Sequence, residues 1–192
     1  MSTVRTRTDL NEKADKTEPA ESGTERIDIP LGFDVPDGWT TVDPATLGVR
    51  AAFLLVRPSP GEDYTPSITV GVDRRADGAD IAASADESID RLAEVLAEVE
   101  LVDRQPIGDH RTPGVTQVLR LRTAAGSGGP ARKLVQTQVH LAIPLGDTAA
   151  DRLVVEISCT CLPAQAATVI PQFQQLVGTF HIRDDGPMKG TT

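Results

Sequence analysis

The clearest pattern of hydrophobic and polar positions in the chain lies over residues 84–99. Its apolar residues recur at intervals of three and four, as on one face of a helix, and charged residues fill most of the other positions. The apolar set is Ala85, Ile89, Leu92, Leu96 and Val99. Ser84 and Glu87 have the spacing of a capping box, in which each side chain accepts a hydrogen bond from the other residue's N–H. The pattern predicts a helix over 84–99 with one face on a core.

Alternating apolar and polar positions predict strands on both sides of this helix. Ile27, Ile29 and Leu31 alternate first; residues 51–57 then form a run that is apolar on both faces, which predicts a central strand. Residues 67–73 alternate again, as in a half-buried strand. After the helix, residues 100–109 are interrupted by a proline, which cannot donate to a ladder and therefore indicates an irregular edge strand.

Three further runs, 115–123, 133–143 and 152–161, are joined by short turns and predict an antiparallel meander. The middle run places Gln136, Gln138 and His140 on its polar face. Apolar residues such as Leu134 interrupt the polar faces, so we expect these faces to be partly covered. The predicted fold class is α+β: a curved, mostly antiparallel β-sheet flanked by helices in an αβα sandwich.

The last strong pattern is a second helix over residues 164–177. Gly178 has the position of a C-cap glycine, and Pro171 should kink the helix or mark the start of its final turns. Residues 179–182 can add a closing strand. Near the start of the fold, Pro36, Asp37 and Gly38 have turn chemistry, and the adjacent Trp39 is interpreted as a buried anchor beneath that turn, with an exposed binding aromatic as the alternative.

Composition defines the ends of the fold and narrows the classes of partner. Residues 1–25 are polar and lack an apolar face, which predicts a disordered tail or, alternatively, a docking tail. Residues 26–183 form the predicted single domain. Residues 184–192 are predicted to form a flexible tail. The formal net charge of −9 argues against nucleic acid and anionic membranes as partners. The longest apolar run, 51–56, is far too short to span a membrane, and the N-terminus lacks the apolar region of a signal peptide. We therefore expect a soluble, cytoplasmic protein.

Few residues carry candidate chemistry. Cys159 and Cys161 lie on the same face of a strand, and the distance between their Cα atoms is at the limit for a disulfide. We interpret the two cysteines as small buried residues; the alternative is that they form half of a metal site. Ser158 near His140 is the one nucleophile and base pair that adjacent strands could bring together. The other histidines, His110 and His181, are dispersed, and each histidine is interpreted as structural.

Three other features are interpreted without a catalytic or binding role. Asp73, Asp77 and Asp80 could form a loose calcium site but lack EF-type spacing, so they are interpreted as solvated. The adjacent cations Arg74-Arg75 and Arg132-Lys133 are interpreted as solvated strand ends. The GSGGP sequence (126–130) lacks the helix and lysine of a phosphate loop and indicates a hairpin turn. No catalytic, cofactor-binding or metal-binding motif stands on its own.

The opening FDVPDGW, the long helix after a strand, the meander and the closing ISCTCLPAQAATVIPQFQQLVGTF together resemble the PsbP-like superfamily. That superfamily includes the actinobacterial LpqN lipoproteins and the DcrB-type proteins, and the resemblance covers residues 27–182. It implies a sheet sandwiched by helices and a binding role as adaptor, secretion chaperone or assembly factor, with no common catalytic residues. The chain differs from the LpqN pattern in lacking a lipobox cysteine, which favours a cytoplasmic relative.

We therefore expect a non-catalytic protein-binding module, an accessory protein, adaptor or chaperone for a secreted or membrane-associated protein. Because a fold does not fix a function, this expectation rests on the resemblance. The alternative is a small-molecule or lipid-binding protein with a cavity between sheet and helix. A protein-binding module should have an exposed apolar surface, whereas a small-molecule or lipid-binding protein should have an enclosed apolar pocket.

Overall fold

The computed structural model describes residues 31–76, 78, 80–126, 129–145 and 151–182. The predicted tails 1–25 and 184–192 lie outside the described residues. Further positions of the predictions lie outside them as well: Ile27 and Ile29 of the first predicted strand, the candidate calcium ligand Asp77, and residues 127–128 of the GSGGP sequence.

Seven strands form one sheet in the order β2-β3-β4-β8-β7-β6-β5, and every neighbouring pair is antiparallel. Their bounds are β2 Thr40–Val42, β3 Phe53–Val56, β4 Ser67–Arg75, β5 Glu98–Gly108, β6 Pro113–Arg122, β7 Lys133–Pro144 and β8 Arg152–Cys161. Two short strands, β1 (Leu31–Gly32) and β9 (His181–Ile182), pair with each other. With the helices α1 (Ile81–Ala93) and α2 (Ala166–Thr179), the fold is α+β, as predicted.

The predicted meander is confirmed in strands β6, β7 and β8. The run predicted as central, β3, is paired on both sides, although its outer neighbour β2 has only three residues. Strand β5 lies at the edge, as its proline indicated, and its register shifts between Leu101 and Asp103. This bulge adds one residue to β5 and changes which of its side chains face α1.

The helices cover opposite faces of the sheet. Successive residues of a strand point to opposite faces, and α2 and α1 contact alternate residues of β7 and β8. Under α2, Val169, Phe173 and Leu176 pack on a core that includes Val155 and Ile157. Under α1, the apolar contacts fall into two smaller groups, one with Val115, Ala142 and Val154 and the other with Leu119, Leu121 and Leu134. The predicted layered architecture is therefore observed.

Trp39 anchors the opening turn to α2. It is buried in the α2-side core, and its indole Nε1 donates a hydrogen bond of 3.0 Å to Oε1 of Gln172. The turn itself closes through a hydrogen bond from the Trp39 N–H to the Pro36 carbonyl. The prediction of a buried anchor beneath the turn is confirmed.

The predicted bounds of the first helix were wrong at both ends. The helix begins at Ile81 after the N-cap Asp80, whose side chain accepts a hydrogen bond from the Ala82 N–H. Ser84 is therefore an interior helical residue. The helix ends at Ala93, and Leu96 and Val99, which were predicted to be helical, reach the α1-side core from the turn and from β5.

The second helix also differs from its prediction. A short 3-10 turn over Pro163–Gln165 precedes α2, which begins at Ala166 and runs through Pro171. Pro171 therefore does not mark the start of the final turns. Gly178 is not a left-handed C-cap: it lies within α2, and the helix ends one residue later at Thr179.

This correction predicts that replacing Gly178 by alanine stabilises the protein by about 0.5–1 kcal/mol, because glycine loses more backbone entropy than alanine in a helix. An added Cβ meets no atom within 4 Å, and the φ angle of Gly178 is not in the left-handed region. Chemical denaturation measures the change. Gly48→Ala is the matched control and should be destabilised, since Gly48 has φ +65°. Destabilisation of Gly178→Ala would restore the C-cap interpretation.

Candidate functional site: a polar layer and cleft beneath helix α1

The interface between α1 and the sheet contains a layer of buried polar side chains. Gln117 on β6 and Gln138 and His140 on β7 are each 1% exposed, and Ser88 on α1 packs against them. Burying polar groups costs free energy unless each is hydrogen-bonded. The layer must therefore be well connected, and its bonds fix the orientation of each group.

The amides form a directed chain of hydrogen bonds. Arg104 Nε donates to Gln117 Oε1, and Gln117 Nε2 donates both to the Ala85 carbonyl and to Gln138 Oε1. Gln138 Nε2 then donates to Gln136 Oε1 at 2.9 Å. Because the Ala85 carbonyl can only accept, it fixes the orientation of Gln117 and, through it, the orientation of Gln138.

The same chain fixes the tautomer of His140. Its Nε2 lies 3.2 Å from Gln138 Oε1, which is an acceptor, so Nε2 carries the proton and donates. Neutral imidazole has one protonated nitrogen, and Nδ1 is therefore a lone-pair acceptor. Among the described residues, no hydrogen-bond partner of Nδ1 is found.

Glu156 links this layer to the surface. It is the cross-strand neighbour of His140, and its Oε1 accepts hydrogen bonds from Ser88 at 3.2 Å and Ser158 at 3.0 Å. Its other oxygen, Oε2, pairs with Arg91 Nη2 at 2.8 Å. The carboxylate therefore joins a helix residue, its own strand and a surface arginine.

A cleft of about 320 Å³ opens beside Glu156, between α1 and strands β4, β7 and β8. We call it the α1 cleft. Its lining residues are Asp73, Arg75, Ser84, Glu87, Arg91, His140, Val154 and Glu156. Arg75 Nη1 pairs with Glu87 Oε2 at 2.6 Å on its rim. Three carboxylates, two guanidinium groups and a histidine make this lining polar, which does not suit a lipid chain.

Burial lowers the pKa of His140 from its ordinary value of 6.5. The nearby Arg91 and Arg104 lower the pKa further, and Glu156 opposes them. His140 is therefore neutral at pH 7, in agreement with the tautomer that the hydrogen bonds require.

The lowered pKa of His140 predicts a loss of stability in acid. Below about pH 6.5 the unfolded chain binds a proton at this residue that the folded protein does not, so the free energy of unfolding falls until the pH reaches the folded pKa. Thermal unfolding midpoints at several pH values test this. The His140→Gln variant should lose less stability than the unsubstituted protein between neutral and mildly acidic pH. The exposed His181→Gln is the control, and parallel curves for His140→Gln and the unsubstituted protein would contradict the prediction.

A second cleft, of about 500 Å³, lies between the loop after β3 and the start of α2. Arg57, Glu62 and Gln165 contribute to its lining. Gln165 Nε2 donates to Glu62 Oε2 and to the Tyr64 carbonyl, so side-chain contacts already tie the loop to the helix. Arg57 belongs to this lining, and its Nε is a buried nitrogen without a hydrogen-bond partner among the described residues.

The structure does not join the predicted nucleophile and base. Ser158 donates to Glu156, His140 bonds to Gln138, and no hydrogen bond joins the two in the described part of the chain. Cys159 and Cys161 are free thiols buried on the α2 side, as predicted for small core residues. Burial raises the pKa of Cys161 to about 11 and also raises that of Cys159.

The remaining candidates are spread over the molecule. His110 and His181 are exposed, Asp80 caps α1 and Asp73 lines the α1 cleft. Across the described ranges, no group of three or more His, Cys, Asp or Glu residues is placed to hold a metal ion.

Arg74 and Arg75 lie at the end of β4, as predicted, and the Arg74 side chain is 56% exposed, but the Arg75 side chain is largely covered. Arg74 bonds Asp151 through two nitrogens, and Arg75 reaches Ser84 and Glu87 on α1. These contacts therefore connect the end of β4 to Asp151 and to helix α1. Lys133, by contrast, is exposed at the start of β7.

Sequence reasoning missed Gln117, Glu156, Ser88 and Arg91 as members of this layer. The strand alternation does contain part of the signal, because the β7–β8 register pairs Gln138 with Ser158 and His140 with Glu156. The strand alternation does not indicate where α1 lies, because a hydrophobic pattern alone does not show which face of the sheet a helix covers.

A separate feature is an exposed apolar segment at the sheet edge, residues 95–102, which we call the edge segment. It contains three of the large hydrophobic residues exposed in the described structure: Val95 at 75%, Leu101 at 43% and Val102 at 43%. The segment enters β5, whose outer side pairs with no other strand among the described residues. An open strand edge with apolar side chains is a template for pairing with another chain.

Three of the solved structures that match the chain cover similar shares of it. LpqN of Mycobacterium tuberculosis, described as involved in cell envelope biogenesis, has a TM-score of 0.57 and 15% identity, over 79% of this chain and 82% of that chain. The cyanobacterial PsbP (CyanoP) of Synechocystis has a TM-score of 0.53 and 11% identity, over 80% and 87%. The Ran-binding protein Mog1p of Saccharomyces cerevisiae has a TM-score of 0.51 and 18% identity, over 80% and 90%.

The chain has the PsbP-like fold. The predicted resemblance is thereby confirmed at the level of the fold, which is all that identities below 20% support. No protein-family model and no curated protein sequence matches the chain. Within the described residues, neither helix is long and apolar enough to cross a membrane.

Proposed function

We propose that this protein is a non-catalytic binding module that docks a protein partner through the edge segment. The observation that carries the proposal is the exposure of Leu101 and Val102 on the open edge strand β5, with the exposed Val95 in the turn before it. The partner adds an extended segment alongside β5, where main-chain hydrogen bonds supply affinity and the exposed apolar residues supply contact. The binding role of Mog1p, which is named as Ran-binding, supports the same class of function.

Charge at the edge indicates the chemistry of the partner. Glu94, Glu98, Glu100 and Asp103 are exposed in or beside the edge segment. Two of them face arginines on β6, with Glu100–Arg120 at 3.3 Å and Glu98–Arg122 at 3.8 Å, but exposed pairs of this kind contribute little. The edge therefore has an acidic excess. We propose a partner segment that combines apolar residues with lysine or arginine.

A second copy of the chain fits this edge less well. The chain has a formal net charge of −9, and pairing two β5 edges would bring two acidic segments together. Strand β5 also contains Pro106, which cannot donate to a ladder, so the partner strand aligns with the part of β5 before this proline.

Photo-crosslinking in the host tests the proposal. A benzoylphenylalanine residue replaces Val102 in one protein and Leu47 in a control, because Leu47 is also apolar and is 61% exposed away from this edge. The Val102 position should give one dominant adduct with another protein, and the Leu47 position should not. Adducts between two copies of this chain, or equal adducts at both positions, would overturn the proposal.

Binding of the captured partner then tests the chemistry of the edge. The Leu101→Lys variant should weaken binding about tenfold or more, as expected for an apolar contact at the centre of an interface, while Leu47→Lys should not. Added salt should also weaken binding, because the attraction between a basic partner and the acidic edge is screened. Binding that is insensitive to both Leu101→Lys and salt would contradict the assignment.

We further propose a cellular role as an accessory protein, adaptor or chaperone of a secreted or membrane-associated protein, acting in the cytoplasm. Two free thiols, at Cys159 and Cys161, are compatible with a reducing compartment. Cell fractionation with an antibody to the native protein tests the location. Recovery of the protein in the envelope fraction would overturn it.

The extent of the domain is likewise a proposal. Residues 26–183 form one folding unit, with 1–25 and 184–192 as tails outside it. Limited proteolysis followed by mass spectrometry should remove both tails and leave the unit intact. Early cleavage within residues 40–176 would argue against it.

A further inference from the structure

Part of the sequence of strand β6 recurs near the N-terminus of the chain. Residues 119–123 of the chain read LRLRT, and residues 4–8, which we call the tail segment, read VRTRT. Both have arginine at the second and fourth positions and threonine at the fifth. The tail segment lies outside the described residues, so the comparison concerns its sequence. Its valine and threonines are residues that favour β-strands.

The β6 copy shows how this pattern pairs with the edge segment. The β5–β6 ladder is antiparallel, and its opposite pairs are Leu119–Leu101, Arg120–Glu100, Leu121–Val99 and Arg122–Glu98. Successive residues of a strand point to opposite faces of the sheet. LRLRT therefore meets β5 with arginines opposite glutamates on one face and with apolar contacts on the other.

The outer side of β5 offers the same groups to a further strand. On this side β5 pairs with no strand in the described part of the chain. Three of the side chains that β6 meets are exposed: Glu98, Glu100 and Leu101. Each glutamate contacts its arginine on β6, and a carboxylate has acceptor sites for a second donor. A strand that copied the β6 register would place Arg5 and Arg7 opposite the two glutamates and Val4 opposite Leu101.

Charge favours the tail segment as the occupant of this edge. Residues 1–8 contain two arginines and no acidic residue, although the whole chain has a formal net charge of −9. Opposite charges on directly opposed strand residues stabilise an antiparallel pair. The tail segment therefore has the combination of apolar and basic residues that the acidic edge favours in a protein partner.

The connection between the tail segment and the fold is long enough for this pairing. Residues 9–30 precede β1, and a chain of that length can span up to about 70 Å. The seven-stranded sheet is about 30 Å wide at the usual spacing of strands. A tether of this kind gives an effective concentration on the order of millimolar, so even a weak strand pairing is populated.

We propose that the tail segment pairs with the open edge of β5 in the same chain as an antiparallel strand, and that it occupies the edge segment until the protein partner displaces it. The displacement rests on the proposed function, whereas the pairing itself does not. The docking-tail alternative for residues 1–25 thereby has a specific target.

Photo-crosslinking of the purified full-length protein tests the pairing. Benzoylphenylalanine replaces Val102 at the edge in one protein and Leu47 in the control. Cleavage after glutamate releases residues 1–12 as one peptide, because Glu12 is the first glutamate of the chain. We expect the Val102 position to form an adduct with this peptide within one molecule, and the Leu47 position to form none.

Two charge reversals are the matched variants. Arg5→Asp with Arg7→Asp turns two attractive cross-strand contacts into repulsive ones and should lower the adduct yield about tenfold. Lys13→Asp with Lys16→Asp makes the same change in net charge outside the tail segment and should leave the yield nearly unchanged. The pairing is overturned by equal yields from the two variants, by the absence of an adduct with residues 1–12, or by an adduct that joins two molecules.

Affinity for the captured partner tests the displacement. A site that is partly occupied by its own chain binds a partner with an affinity reduced by the fraction of open sites. Arg5→Asp with Arg7→Asp should therefore bind the partner about threefold tighter or more than the unsubstituted protein does. Unchanged or weaker binding would overturn the displacement. Failure of the Val102 position to capture a partner in the host would refute the proposed function and the displacement, but not the pairing, because the adduct within one molecule needs no partner.

Discussion

Replacing Phe173 by alanine should lower the free energy of unfolding by about 3–5 kcal/mol, among the largest effects of a single substitution in this protein. Phe173 is 1% exposed and is the largest of the fully buried side chains. It lies on the buried face of α2 with Val169 and Leu176, against β8 residues such as Val155 and Ile157. Its removal leaves a cavity at the contact that holds α2 to the sheet.

Urea denaturation of the variant measures this effect, with Gln174→Ala as the matched control. Gln174 is the next residue of the same helix and is exposed, so its substitution should change stability by less than about 0.5 kcal/mol. Equal effects of the two substitutions would show that α2 does not pack on the sheet through this face.

The α2 side of the molecule follows from the sequence because its two patterns agree. Helical spacing on α2 and strand alternation on β8 both place apolar residues on one side, and each side chain in the set faces the same core. Pro171 and Gly178 were misassigned for a local reason. Their intrinsic preferences favour helix ends, but burial of Val169, Phe173 and Leu176 on one continuous helical face outweighs those preferences.

The end of α1 could not be predicted because residues 95–99 fit two periods at once. Leu96 and Val99 continue the helical stripe, while Val99 and Leu101 also alternate with acidic residues as in a strand. Pairing decides between them: β5 forms a ladder with β6, the next strand of the chain, from Glu98 to Gly108, and the local period of residues 95–99 does not contain that pairing. The helical interpretation therefore hid the start of the edge segment, because Val95 lies where the helix was expected, whereas Leu101 and Val102 lie in the run predicted as an edge strand.

The candidate site was predicted only in its components. Alternation placed Gln136, Gln138 and His140 on a polar face that was expected to be partly covered, and the structure confirms that face as covered. The sequence did not indicate the cover, because Ser84 and Ser88, the small polar residues of α1 that meet this face, do not contribute to a hydrophobic stripe. The period of the hydrophobic pattern cannot reveal a buried polar layer of this kind, because the polar residues of the helix and those of the strand face both resemble surface residues.

The second large effect is expected from Gln138→Leu, which should lower the free energy of unfolding by about 3–5 kcal/mol. Gln138 accepts from Gln117 and His140 and donates to Gln136, and leucine of similar size replaces none of these bonds. The cost arises mainly from the groups left behind: the Nε2–H of His140 loses its acceptor and the Oε1 of Gln136 loses its donor. Gln105→Leu, at an exposed position of β5, is the control and should be nearly neutral.

A double-mutant cycle separates this cost from simple packing. Removing both partners of a buried hydrogen bond costs less than stranding one of them, so Gln138→Leu combined with His140→Phe should destabilise the protein by less than the sum of the two single variants. A coupling of about 1 kcal/mol or more is expected for two residues in one hydrogen-bonded layer. Strict additivity would mean that the bond between Gln138 and His140 does not form, and the tautomer assigned to His140 would then lose its basis.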